Sequence, residues 1–214
     1  TYRKVSIDTR KDALTNPNQI NKTQRNIRKA LLRLLSSYNL TQISTLQICE
    51  EAEVSRSSFY TYYNSKYDVV EQIEKELISG FLDIMLQLRA TGKKAYYENI
   101  NNNRIIYFTQ YFQYIEVHFS EFKSLLGPKN ETGFSERFAK AISKTRLATI
   151  KIWNSYPQVN SENDRIMLYR EAALSSLYVC LFSSWCQQDM DLSVEKMASI
   201  LNEIWKSFLC IGVV

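Results

Sequence analysis

The chain has 214 residues, a net charge of +5, 45% apolar and 23% charged content, and only five Gly and three Pro. That apolar share supplies a real core and excludes disorder as a global description. With few breakers and no run of sustained alternation, long helices are expected and a sheet is not, so the fold class is all-α.

Residues 1–20 carry Arg3, Lys4, Arg10 and Lys11 with Pro17 and no apolar period. They read equally as a basic arm lying along DNA or as a solvated tail. Apolar residues then recur at helical spacing through Ile27, Ala30, Leu31, Leu34 and Leu35, and halt at the polar run 36–39. Ser44-x-x-Gln47 has the form of a capping box and opens a short helix with Leu46, Ile48, Cys49 and Ala52 on its apolar side. Val54-Ser55 interrupts it, and Ser55 is a fresh N-cap for a second short helix over residues 56–62. Two short helices across a tight turn describe a helix-turn-helix. In the second of them only Phe59 and Tyr63, four apart, turn inward, while Arg56, Ser57, Ser58, Tyr60, Thr61 and Tyr62 are polar groups suited to base edges and phosphates. Ser65-x-x-Asp68 caps one more helix, with Lys66 in its first turn. Residues 1–66 hold 11 Lys and Arg against 5 Asp and Glu, whereas the remainder of the chain sums to −1. The whole positive excess therefore coincides with the reader-like segment.

The run from Ala30-x-x-x-Leu34-Leu35 through Ile43-Ser-Thr-Leu-Gln-Ile48-Cys-Glu-Glu-Ala52-x-Val54-Ser55-Arg56-Ser-Ser-Phe59-Tyr60-x-x-Tyr63-x-Ser65-Lys66-x-x-Val69 resembles the DNA-binding domain of TetR-family transcriptional regulators. Its Ile-Cys-Glu-x-Ala and Ser-x-Phe-Tyr-x-x-Tyr wording looks most like a subgroup labelled as regulators of dihydroxyacetone kinase. Two positions depart from the family: Glu53 stands where a turn Gly is usual, and Ser57 where Gly or another small residue is common. The resemblance implies a three-helix helix-turn-helix domain over 21–66, followed by a helical effector-binding and dimerisation domain over 67–214. It also implies a homodimer on double-stranded DNA answering to an unidentified small-molecule effector, most simply a repressor. A co-activator or adaptor working through a protein partner is the alternative that the subgroup suggests.

Beyond residue 67, apolar residues at three and four from Val69 to Leu86 continue one helix to Thr91-Gly92, linking the two domains. Residues 93–103, Asn-rich around Tyr96 and Tyr97, read as a loop. Helices are expected over 104–118, 119–126 (stopped by Gly127-Pro128), 135–153, 163–188, and from the Ser193 cap onward. The segment 163–188 is apolar or small nearly all round and should be buried on several sides. In the family that the chain resembles, the two final helices pair with their copies. That reading singles out Ala172, Ala173, Ser176, Val179, Cys180, Ser183, Met197, Ile200, Leu201 and Ile204 as dimer-interface residues.

An enzyme is hard to assemble from these residues, since His118 has no nucleophile motif beside it and no Gly-rich phosphate loop or carboxylate pair stands out. Cys49, Cys180, Cys186 and Cys210 are scattered, predicting reduced thiols in a cytoplasm and neither a disulfide framework nor a zinc site; no cofactor is expected. No apolar run of membrane-spanning length stands out, so no membrane partner is expected. The expected base readers are Arg56, Ser57, Ser58 and Thr61, with Ser44, Thr45, Tyr60, Tyr62, Lys66, Lys22 and Arg25 on phosphates. Met85, Tyr107, Tyr111, Phe112, Phe122, Trp153, Tyr178, Phe182 and Trp185 offer the apolar surface of an effector pocket, or equally a plain core.

Overall fold

The computed structural model describes residues 21–102, 104–128, 132–154 and 162–210, and the expected basic arm lies outside them. Among the described residues the fold is all-helical: α1 Lys22–Leu35, α2 Thr45–Glu51, α3 Arg56–Tyr62, α4 Lys66–Arg89, α5 Lys93–Asn101, α6 Ile106–Val117, α7 Phe119–Leu125, α8 Phe134–Asn154, α9 Glu162–Gln187 and α10 Val194–Cys210. A 3-10 turn, Leu40–Gln42, separates α1 from α2.

The N-terminal unit is built as its sequence dictates. Asn21 and Gln24 close a capping box at the start of α1, and Ser44 and Gln47 close one at α2. Ile27, Ala30 and Leu31 of α1 meet Ile48 of α2, Phe59 of α3 and Val69 of α4 in one buried cluster. Removing the fully buried Phe59 ring would cost about 3–5 kcal/mol, comparable with the whole stability of a small domain. Between α2 and α3 the chain turns at Glu53, whose φ of 54° is left-handed. The Val54 amide donates to the Cys49 carbonyl and the Glu53 amide to that of Glu50, the paired bonds of a Schellman ending made without glycine.

Helix α4, about 36 Å long at 1.5 Å per residue, belongs to both halves of the molecule. Its first turns bury Val69, Val70 and Ile73 against the reader helices, and its later turns bury Leu77, Phe81 and Met85 in the second domain. Arg28 of α1 clamps onto it, donating to both Glu76 carboxylate oxygens (2.5 and 2.7 Å) and to the Tyr63 hydroxyl (3.2 Å). Burial opposes the Arg28 charge, yet these partners raise its pKa, so it stays a cation at any accessible pH. A second junction forms where α7 packs on α1, with the Ser124 hydroxyl 3.2 Å from the Leu32 carbonyl.

The second domain departs from expectation in three places. Residues 93–101 are helix rather than loop, because Tyr96 and Ile100, four apart, are both buried and outweigh the polar residues between them. Helix α9 is not buried on several sides. It packs mainly on α8 and leaves Ile166, Leu168, Tyr169, Ala172, Ala173, Ser176 and Cys180 exposed. Finally, the stretch Arg165–Gln187 is long and apolar enough by composition to cross a membrane, contrary to the reading above. Within it Glu171 pairs with Arg146 inside the protein.

Candidate functional site

Helix α3 is held outward by its own support. Phe59 and Tyr63 anchor it, with their rings 5.8 Å apart, and Ser55 caps it by accepting from the Ser58 amide. On the opposite side Arg56, Ser57, Tyr60 and Thr61 are exposed, Tyr60 to 56%. Arg56 forms no ion pair among the described residues, so its five guanidinium donors are open to an incoming partner. The neighbouring hydroxyls are less free. Ser57 and Ser58 each lie 2.9 Å from the Ser55 hydroxyl, and Thr61 donates back to the Ser57 carbonyl. Ser58 and Tyr62 are half-buried, and Tyr62 packs on the core. The exposed edge of α3 therefore holds Arg56, Ser57, Tyr60 and Thr61, flanked by the exposed Ser44 at the α2 cap and the half-buried Thr45. Lys22 and Arg25 are exposed on α1.

Lys66 sits differently from its expected place on phosphate. Its ammonium is half-buried and donates to the carbonyls of Leu40 (2.7 Å), Ile43 (2.5 Å) and Thr41 (3.3 Å). Three carbonyls saturate three donors, so this lysine staples the 3-10 turn to the start of α4.

The residues expected to line an effector pocket are brought together, but as packed rings. Phe81 is the hub, 5.0 Å from Tyr111, 5.0 Å from Phe138 and 5.4 Å from Phe182, centroid to centroid. Phe112 stacks edge-on against Phe182 and Trp185, whose indole donates to the Leu192 carbonyl at 2.9 Å. Met85, Tyr107, Phe122 and Tyr178 are buried in the same core, and Trp153 is half-buried. Clefts open between helices at the surface. A cleft of about 650 Å³ separates α1 from α7, lined by Lys29, Arg33, Phe119 and Lys123. Another, of about 790 Å³, runs between α8 and α9.

Sequence reasoning passed over a buried polar cluster beneath those rings. Arg146 of α8, 1% exposed, pairs with Glu171 of α9 and lies 4.5 Å from the Trp205 ring centroid. Burial opposes its charge, but Glu171 prevails and raises its pKa. Arg89, at the end of α4, stacks 5.1 Å from the rings of both Tyr96 and Trp153. The signal was there: Arg89 follows Met85, and Arg146 follows Ile142, by four residues, which puts a charge on the apolar face of each helix.

Of the residues expected at a dimer interface, Ala172, Ala173, Ser176 and Cys180 form an exposed stripe on α9, with Ser183 half-buried. Val179, Met197 and Leu201 are instead turned into the protomer core, and Ile200 and Ile204 are half-buried, because α10 lies along α6.

Comparison with known proteins agrees with this geometry. Residues 27–73 match the family described as "Bacterial regulatory proteins, tetR family". An uncharacterized HTH-type transcriptional regulator of Bacillus subtilis is 35% identical over 54 residues, which are 25% of this chain and 14% of that protein's length. The TetR transcriptional regulator of Streptococcus agalactiae superposes with a TM-score of 0.53 at 20% identity, over 90% of this chain and 98% of the other. Thermus thermophilus FadR, a TetR-family transcriptional repressor in complex with lauroyl-CoA, superposes with a TM-score of 0.50 at 16% identity, over 89% and 95% of the two chains. These two likenesses concern the fold, while the family match covers the helix-turn-helix and the start of α4. On these grounds residues 27–73 carry the helix-turn-helix of the tetR family of bacterial regulatory proteins, and the chain as a whole has a fold like those of the two solved structures.

Proposed function

We propose that the protein is an effector-responsive repressor that binds a near-palindromic operator as a homodimer. The observation that carries this is the outward edge of α3, where an unpaired Arg56 beside Ser57 and Tyr60 rests on the buried Phe59 and Tyr63. A guanidinium so placed suits a bidentate bond to guanine, and two such helices related by a two-fold axis reach successive major grooves about 34 Å apart. The exposed small-residue stripe of α9 is the surface on which a second protomer can approach closely. An effector seated in the second domain acts through α4 and the α1–α7 junction, and its leverage equals its difference in affinity between the two reader spacings. The work is done on DNA, which assigns the protein to the cytoplasm. Selection from random duplexes by the purified protein tests the reading. A recovered palindrome is expected, and Arg56→Ala should then lose about 1–3 kcal/mol and relax one position of it. Enrichment of no sequence would overturn the DNA-binding assignment in favour of an adaptor.

A further inference from the structure

Among the described residues, two guanidiniums and one carboxylate, those of Arg89, Arg146 and Glu171, are buried together beneath the rings of the second domain, while the other buried carboxylate, Glu74, pairs with Arg137. Glu171 accepts from Arg146 through both of its oxygens, which settles that pair. Arg89 has no carboxylate partner among the described residues. It is 2% exposed, its Nη1 donates to the Arg146 carbonyl at 3.3 Å, and its Nε has no hydrogen-bond partner. Beside it the Tyr96 hydroxyl, on a residue 1% exposed, is also unmet. An uncompensated charge and an idle hydroxyl in the same interior are each costly, and their company is informative. The neighbouring phenols do not supply the missing negative charge, because burial holds Tyr111 and Tyr178 well above their ordinary pKa, in the neutral form. The cluster of Arg89, Arg146 and Glu171 therefore carries a net charge of +1. It is faced by rings: Tyr96 and Trp153 lie 5.4 Å apart, and the half-buried Tyr97 and Trp153 stand between it and solvent.

We infer that Arg89 and the Tyr96 hydroxyl form a binding site for a monocarboxylate carried on an apolar, ring-sized body, and that acids of this class are the effectors. The second clause rests on the effector-responsive reading above; the first does not. A single negative charge neutralises the cluster, whereas a phosphate dianion would leave it as uneven as before. The planar fork of Arg89 matches two carboxylate oxygens, and Tyr96 donates a further hydrogen bond. The rings are in contact as the chain stands, so the half-buried Tyr97 and Trp153 must part to admit the apolar body of the acid beside Arg89.

The test uses the intact protein with a series of aromatic monocarboxylates, benzoate, phenylacetate, indole-3-acetate and naphthoate, each beside its neutral amide. Thermal shift, quenching of Trp fluorescence and retention of the selected duplex are the three readouts. At least one acid is expected to raise Tm and quench the indoles while its amide does neither. Arg89→Met should weaken that acid about 10- to 100-fold, the range for a hydrogen bond to a charged group, and Tyr96→Phe, which keeps the ring, about 10-fold. The ligand-free Arg89→Met protein should melt no lower than the parent, since it sheds an unpaired buried charge. Binding by amides as well as acids, by no acid at all, or undiminished in Arg89→Met overturns the site. So does a collapse in the Tm of ligand-free Arg89→Met, which would make Arg89 a structural residue. An acid that binds through Arg89 yet leaves duplex retention unchanged keeps the site and overturns its role as effector, separating the two failures.

Discussion

Two side chains decide how the reader is braced, and both lend themselves to single substitutions. Glu53 holds a left-handed backbone that costs a residue with a Cβ about 1 kcal/mol, and its side chain points into solvent. Glu53→Gly should relieve that strain and, after the added freedom of the unfolded chain is subtracted, stabilise by about 0.5 kcal/mol. Urea denaturation followed by circular dichroism reads the sign directly; a loss of stability would mean that the carboxylate has a role the fold does not display. Lys66 gives the opposite contrast. Because its ammonium is spent on three carbonyls, Lys66→Met should destabilise by about 1–3 kcal/mol through orphaned acceptors. The salt dependence of duplex binding should stay unchanged. A drop of about one unit in that slope would return Lys66 to the phosphate backbone.

At the scale of elements, α4 is tuned for contact with α6 by Gly80. A Cβ there would collide with the Tyr114 hydroxyl and stand 2.9 Å from its Cζ, while that hydroxyl donates to the Leu77 carbonyl at 3.0 Å. Gly80→Ala raises intrinsic helix propensity by about 1 kcal/mol, yet it should destabilise overall because the ring must give up its bond and its seat. A melting temperature above that of the parent would show that the ring moves freely and that the two helices are not locked there. Helix α9 offers the complementary experiment. Ala172 and Ala173 are exposed on the protomer, so Ala172→Arg leaves the fold and its Tm nearly intact as a single chain. If the α9 stripe joins two protomers, sedimentation of Ala172→Arg should report a monomer and duplex affinity should fall with it; an unchanged dimer would move the interface elsewhere.

For the molecule as a whole, the alkaline limb of stability follows from what the core buries. Burial lifts the Cys186 thiol to about 12 from its ordinary 9.0, and burial with Glu121, Asp83 and Glu76 nearby lifts the Tyr114 phenol to about 12 from 10.0. Both groups stay protonated in the fold at a pH where the unfolded chain releases the proton. The folded state thus binds more protons between pH 9 and 12, and its stability is full below that window and declines through it. Denaturant midpoints at about pH 8 and about pH 11 should show the decline, and Cys186→Ala should shrink the difference.

The helices other than α5 and the caps at Ser44, Ser55 and Ser65 were legible in the chain, because caps and helical periods are written in neighbouring residues, while the special position of Glu53 stood out through the family resemblance. Lys66 was not, since its acceptors lie more than twenty positions away and come together only when the 3-10 turn folds against α4. Nor was α5, where two buried residues among polar ones gain their value from a surface built by α10 and α4. The aromatic residues were recognised by type, but whether rings enclose a space or fill it depends on packing that a set of residue names does not contain. Local spacing by itself determined an all-helical fold with an outward-facing α3, because helix periods and caps are set within a few residues. Only the tertiary structure decided which charges are buried together, leaving Arg89 without a counter-ion among the described residues of the second domain.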